Sequence, residues 1–127
     1  MYGAAIANGR GPRPARLRAI KTDILESLGS PELTETAVAL RQHVTPRYIR
    51  MLFETEGVTF SEFVLGQRLM RAHRMLSDPR FAGVTITTIA FAVGFGDLSY
   101  FNRTFRRRFG ATPSELRHSL RRGEPVV

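Results

Sequence analysis

The sequence contains no cysteine, which excludes disulfides, thiol nucleophiles and cysteine-ligated zinc and fits a reducing compartment. No apolar run approaches the roughly 18 residues that a membrane span needs. The opening Met1-Tyr-Gly-Ala-Ala-Ile-Ala-Asn8 has no charged stretch ahead of its apolar residues, so it is a poor signal peptide. No segment alternates polar and apolar residues for long enough to form a strand. Lysine is almost missing: 18 of the 19 basic residues are arginine, and Lys21 is the exception. Acids are scarce in the second half of the chain. Residues 1–65 carry eight bases and seven acids, whereas residues 66–127 carry eleven bases and four acids. These absences predict a soluble, cytoplasmic chain.

What is present is a 127-residue chain, enough for one compact domain or two small units, with an apolar fraction of 43% that can fill a core. Its net charge of +8 draws polyanions, nucleic acid first and an anionic membrane second. Arginine suits the first partner, because its planar fork pairs bidentately with phosphate or with a guanine edge.

Residues 1–14 hold Gly3, Gly9, Gly11, Pro12 and Pro14 without an apolar period, so they read as a linker or arm. Helical periodicity begins near Arg16, with Leu17, Ile20, Ile24, Leu25 and Leu28, and stops at Gly29-Ser30-Pro31. Six start signals follow. Thr34 caps a second helix, and Thr45 ahead of Pro46 caps a third. Thr59-Phe-Ser-Glu62 is a capping box that opens a long fourth helix, which stops before Pro79. Thr85 caps a fifth, Asp97 a sixth running to Phe109, and Thr112-Pro-Ser-Glu115 is a second capping box that opens a seventh. The expected fold is all-α.

The chain also resembles itself. Val38-Ala39 matches Ile89-Ala90 and Val44 matches Phe95, both at an offset of 51. Ile49 then matches Phe101 and Phe53 matches Phe105 at 52, and the two capping boxes match at 53. Each copy is a helix, a tight turn, a second helix and a capping box. Ala39 or Ala90 lets the two helices cross closely, and Val44 or Phe95 plugs the turn from inside. On the second helix Ile49, Leu52 and Phe53, or Phe101 and Phe105, face the core. The opposite faces carry Arg47, Arg50 and Met51 in one copy and Ser99, Asn102 and Arg103 in the other. That is the layout of a helix-turn-helix whose second helix enters a major groove.

The stretch from Ile89-Ala-Phe-Ala-Val-Gly-Phe95 through Ser99-Tyr-Phe101, Arg103-Thr-Phe105, Phe109-Gly-Ala-Thr-Pro113 and Arg117 resembles the C-terminal signature of AraC-type (AraC/XylS) transcriptional regulators. The aromatic often found before the last arginine is Leu116 here. The resemblance reaches back to about Leu33 and covers most of residues 16–121. It implies seven helices in two homeodomain-like helix-turn-helix subdomains joined by a long connecting helix. The implied layout is an arm over 1–14, a DNA-binding domain over 15–122 and a tail over 123–127. Within the domain, 15–57 and 79–122 are the two units and 58–78 is the connector. By the same resemblance Arg47, Arg50 and Met51 read bases from the third helix, and Leu98, Ser99, Asn102 and Arg103 from the sixth. Thr45, Arg68, Arg74, Arg106 and Arg107 are the phosphate candidates. The implied partners are double-stranded DNA and RNA polymerase. Relatives usually carry an N-terminal sensing and dimerisation domain for which these residues leave no room. The expectation, near the bacterial nucleoid, is either a separated, monomeric module or one of the minority that act as single domains, and the Gly/Pro-rich start favours the first.

Enzyme chemistry finds little support. His43, His73 and His118 form no metal-ligand spacing and read as surface or capping residues, so neither a metal nor a cofactor is expected. Ser99 and Ser114 have no His/Asp constellation around them. Gly94-Phe-Gly96 lacks the third glycine and the preceding strand of a phosphate loop. A non-specific architectural or interaction module is the next competitor, and it differs in having an affinity independent of base sequence. A membrane-surface helix is third, but the apolar positions on the fourth and sixth helices are better used in the core.

Overall fold

Short polar side chains start six of the seven described helices. In the computed structural model, which describes residues 12–123, the Thr34, Thr45 and Thr85 hydroxyls accept the backbone N–H of Ala37, Tyr48 and Thr88, and the Asp97 carboxylate accepts that of Tyr100. Both capping boxes form. Thr59 and Glu62 exchange bonds of 2.9 and 3.0 Å, and Thr112 and Glu115 exchange bonds of 2.8 and 3.1 Å.

The described residues fold as seven α-helices without a strand: α1 Arg13–Glu26, α2 Glu35–Gln42, α3 Pro46–Glu54, α4 Phe60–Ser77, α5 Ile86–Ala92, α6 Leu98–Phe109 and α7 Pro113–Arg121. A short 3-10 turn at Pro79–Phe81 lies between α4 and α5. The first helix differs from the sequence expectation at both ends. It begins at Arg13, so Arg13 and Pro14 belong to it and not to an arm. Proline is tolerated there because first-turn N–H groups have no helical acceptor to lose. It ends at Glu26, and Leu28 is buried from the turn beyond it. The rest of the expected arm, residues 1–11, and the end of the expected tail, residues 124–127, lie outside the described residues.

The chain divides into two compact units, the first ending at Leu65 and the second beginning at Gly66, so the division falls inside α4 and not at its ends. The first unit buries Leu17, Ile20, Ile24 and Leu28 of the α1 segment with Val38, Ala39, Ile49, Leu52, Phe53, Phe60 and Val64. Phe53 is its aromatic centre, edge-on to Phe60 at 6.1 Å and tilted against Phe63 at 5.3 Å. Asp23 of α1 clamps α2 by accepting hydrogen bonds from Arg41 and from Gln42 Nε2. Burial pushes that carboxyl up, but the Arg41 and Gln42 hydrogen bonds outweigh it, and its pKa lies below the ordinary value.

The buried set of the second unit includes Leu69, Ala72, Leu76, Ile89, Ala90, Val93, Phe95, Phe101, Phe105 and Leu116. A buried arginine closes it. Arg117 donates through Nη1 to the Val84 carbonyl and through Nη2 to the Phe81 carbonyl, while Arg121 donates to the Ala82 carbonyl. The short 3-10 turn there pairs the Phe81 carbonyl with the Val84 N–H at 2.9 Å, and the arginines of α7 add the further donors that hold the segment.

Two outcomes are expected in thermal and urea melts. Arg117→Ala removes the side-chain donors from the Val84 and Phe81 carbonyls, the latter keeping the Val84 N–H, and lowers stability by about 1–3 kcal/mol, more than Arg121→Ala. Gly66→Ala raises stability by about 1 kcal/mol, because a Cβ there meets nothing within 4 Å and alanine is the better helix former.

Candidate nucleic-acid interface

The same turn shapes the outward helix face of each unit. The Val44 N–H donates to the Ala39 carbonyl at 3.0 Å, and the Phe95 N–H donates to the Ala90 carbonyl at 3.0 Å. The residue ahead of each donor takes positive φ, His43 at 58° and Gly94 at 108°. This is the left-handed cap that ends a helix and redirects the chain into the next. Ala39 and Ala90 are fully enclosed, as a close crossing requires.

With the turns set, helical period decides which side chains face out. On α3, Ile49, Leu52 and Phe53 are buried, whereas Arg47 and Arg50 are exposed and Met51 is half-buried. Thr45, Arg47, Arg50 and Met51 line one open concavity of about 760 Å³ with Tyr48 and Glu54. The structure thus brings together all four candidates of the first unit's helix start and outer face. Arg50 is not solitary there: its Nη1 lies 2.6 Å from Glu35 Oε1 at the start of α2. The Thr45 oxygen already accepts the Tyr48 N–H, which leaves its O–H to donate.

On α6, Phe101, Thr104 and Phe105 are buried, and Ser99 and Arg103 are exposed beside half-buried Leu98 and Asn102. Spaced as 98/99 and 102/103, these four share one face. The Arg103 guanidinium sits 5.9 Å from the centre of the Tyr100 ring, a cation–π contact that steadies it without a carboxylate. Behind the face, Phe95, Phe101, Phe105 and Phe109 stack in sequence at 4.8, 5.6 and 4.7 Å.

This double helix-turn-helix has known counterparts. Residues 38–119 match the helix-turn-helix domain family. A transcriptional regulator from Chromobacterium violaceum, described as AraC-type DNA-binding domain-containing, superposes with a TM-score of 0.76 at 27% identity, covering 84% of this chain and 93% of that one. The chain belongs to the AraC-type helix-turn-helix family. The C-terminal domain of AraT, a response regulator from Geobacillus stearothermophilus, is also similar, with a TM-score of 0.72 at 25% identity over 82% of this chain and 84% of that one. In sequence, the transcriptional activator RhrA of Rhizobium meliloti is 45% identical over 102 residues, 80% of this chain and 32% of the relative. The regulator CdhR of Pseudomonas aeruginosa is 37% identical over 97 residues, 76% and 28% respectively. The chain therefore spans about a third of the length of the curated relatives it matches. Its fold is that of an AraC-type DNA-binding domain of transcriptional regulators.

Two ionisable residues pack against the core of the second unit. The late Arg117 is a carbonyl clamp. His73, expected at the surface or at a cap, is half-buried instead: its ring stacks on Phe105 at 6.1 Å and lies tilted against Phe109 at 4.6 Å. Both residues occupy apolar registers, Leu69-Ala72-His73-Leu76 and Pro113-Leu116-Arg117-Leu120, and that spacing is the sequence signal of their positions. Arg68 follows the same rule between Leu65 and Leu69. It is half-buried, and burial holds its guanidinium below the ordinary pKa. His43 and His118 are exposed as expected, His43 in the left-handed turn and His118 beside Arg122. Among the described residues, no group of three or more His, Asp or Glu could hold a metal ion. No described helix is long and apolar enough to cross a membrane.

His73 gives this domain a pH dependence. Loss of water in the aromatic cluster, and then the positive charge of Arg108, put its pKa below the ordinary 6.5. As pH falls, the unfolded chain takes up this proton before the folded chain does, so the contribution is destabilising and grows below about pH 6.5. Melting temperatures measured from about pH 8 to about pH 5 should fall less for His73→Phe than for the parent. Parallel curves would show that His73 is not the group responsible.

Proposed function

We propose that α3 and α6 insert into successive major-groove segments of an asymmetric duplex site and read it base by base. The reading rests on one observation: two copies of the same turn each turn a donor-bearing helix face outward on an apolar backing. In this scheme Arg47, Arg50 and Met51 meet bases from α3. Leu98, Ser99, Asn102 and Arg103 meet them from α6. Arg103 forks a guanine and supplies roughly 1–3 kcal/mol of discrimination. Met51 and Leu98 offer apolar contact to a thymine methyl. Centres of the two boxes about one helical turn, ~34 Å, apart are the spacing that recurs among helix-turn-helix readers. Any bend needed to seat both helices costs on the order of 1–6 kcal/mol.

Thr45, Arg68, Arg74, Arg106 and Arg107 are the proposed phosphate contacts, which place the domain without reading sequence. Arg74, Arg106 and Arg107 are the accessible ones, and Arg68 is the least available of the four arginines. The likeness to AraC-type regulators supports a wider reading of the whole protein: a cytoplasmic, nucleoid-bound regulator that contacts RNA polymerase. Dimerisation and effector binding would reside outside this domain, which itself binds as a monomer.

Selection from random duplexes, followed by titration of the winning duplex and a scrambled duplex across a salt series, tests the reading. An asymmetric motif with two boxes about one turn apart is expected, and Arg103→Ala should weaken the winner by about 5- to 150-fold more than the scramble. Equal loss on both duplexes would make Arg103 a phosphate contact. The absence of any enriched motif would leave backbone binding alone.

A further inference from the structure

We propose that Glu35 is a positioning residue for base reading by Arg50, and thereby a determinant of sequence specificity in the first unit. The inference rests on Arg50 being a base reader, as proposed above. It starts from the 2.6 Å ion pair between Arg50 Nη1 and Glu35 Oε1, which spans α2 and α3. The two ends are held unequally. Glu35 is the first residue of α2, directly after the Thr34 cap, and its side chain is 25% exposed. Arg50 projects from the outer face of α3 with 57% of its side chain exposed. The fixed carboxylate therefore orients the mobile guanidinium, and the remaining N–H groups of the fork stay available on the open side.

Two physical consequences separate this arrangement from a free arginine. An arginine with many accessible rotamers loses that freedom on binding, and an anchored one has lost much of it already. A free guanidinium also follows whatever phosphate is nearest, which raises affinity for every sequence alike. A guanidinium paired with a carboxylate carries less net charge toward the backbone, so a base edge with matched acceptors gains relative weight. Glu35 thus exchanges general affinity for discrimination.

The second unit lacks the device. At the repeat offsets, Glu35 corresponds to Ile86 and Arg50 to Asn102. The reading arginine of that unit, Arg103, leans on the Tyr100 ring instead. An aromatic ring steadies a cation but leaves its full charge in place. The two units therefore treat phosphate differently: the first is the more selective and the second, on the strongly basic half of the chain, is the stronger general binder.

The test uses the full chain, its selected duplex, a set of duplexes with each first-box position substituted, and a scramble. Parent, Glu35→Gln, Arg50→Ala and the double variant are titrated across salt, and melting curves confirm that each is folded. Glu35→Gln is close in shape, so it removes the charge with little change in packing. It should tighten binding to the scramble, steepen its log–log salt slope by up to about one, and lower discrimination about fivefold at a single first-box position. In the Arg50→Ala background it should change neither the slope nor that position. If Glu35→Gln weakens all duplexes by one common factor while Arg50→Ala is position-specific, Glu35 is merely structural and the positioning role fails alone. If Arg50→Ala itself weakens every duplex equally, Arg50 does not read bases, and both proposals for it fall together.

Discussion

Everything on the outer surface of this domain depends on two helices crossing at an alanine. Ala39 and Ala90 leave no room for solvent, and their carbonyls accept the turn N–H of Val44 and Phe95. A larger side chain would separate the helices, because packed interiors cannot absorb the extra volume without strain. With the crossing and the turn both set, the orientation of the second helix follows. Its buried residues then leave one face outward, and that face is where polar donors gather. The outward face of each unit is thus a by-product of close packing behind it.

The two units share this constraint and diverge in how they support it. The first backs its reader with aliphatic residues around Phe53 and sets Arg50 against Glu35. The second backs its reader with a run of phenylalanines and sets Arg103 over Tyr100. Duplicated scaffolds tolerate such divergence, since substitutions on the outward face do not disturb the alanine crossing. The outcome is one architecture with two electrostatic characters.

Not every arginine of this basic chain belongs to the surface charge. Arg117 is almost fully buried, and its hydrogen bonds hold the segment between α4 and α5. Arg68 is half-buried on α4, and Arg41 is committed to Asp23. A count of positive residues therefore overstates the field that a polyanion meets. Arg117 spends its donors on backbone carbonyls, as low-dielectric burial demands, and Arg41 spends its own on a carboxylate.

The starts of the six later helices and the internal repeat were legible in the sequence because they are local. A threonine three residues ahead of an acid, or a proline after a threonine, satisfies the first turn whatever surrounds it. The outward face of each second helix was equally legible, because 3.6-residue periodicity sorts Arg47, Arg50, Ser99 and Arg103 from Ile49, Phe53, Phe101 and Phe105. The first-turn role of Pro14 and the inward stations of His73 and Arg117 carried weaker signals, each outweighed by the usual habits of proline, histidine and arginine. The Glu35–Arg50 pair carried none: the two residues stand 15 positions apart on different helices. By itself the chain determined its helices, its repeated turn and the sides those helices present, since these follow from neighbours a turn away. Only the tertiary structure decided which charges are paired, clamped or free, because a charge answers to whatever packing brings within a few ångströms.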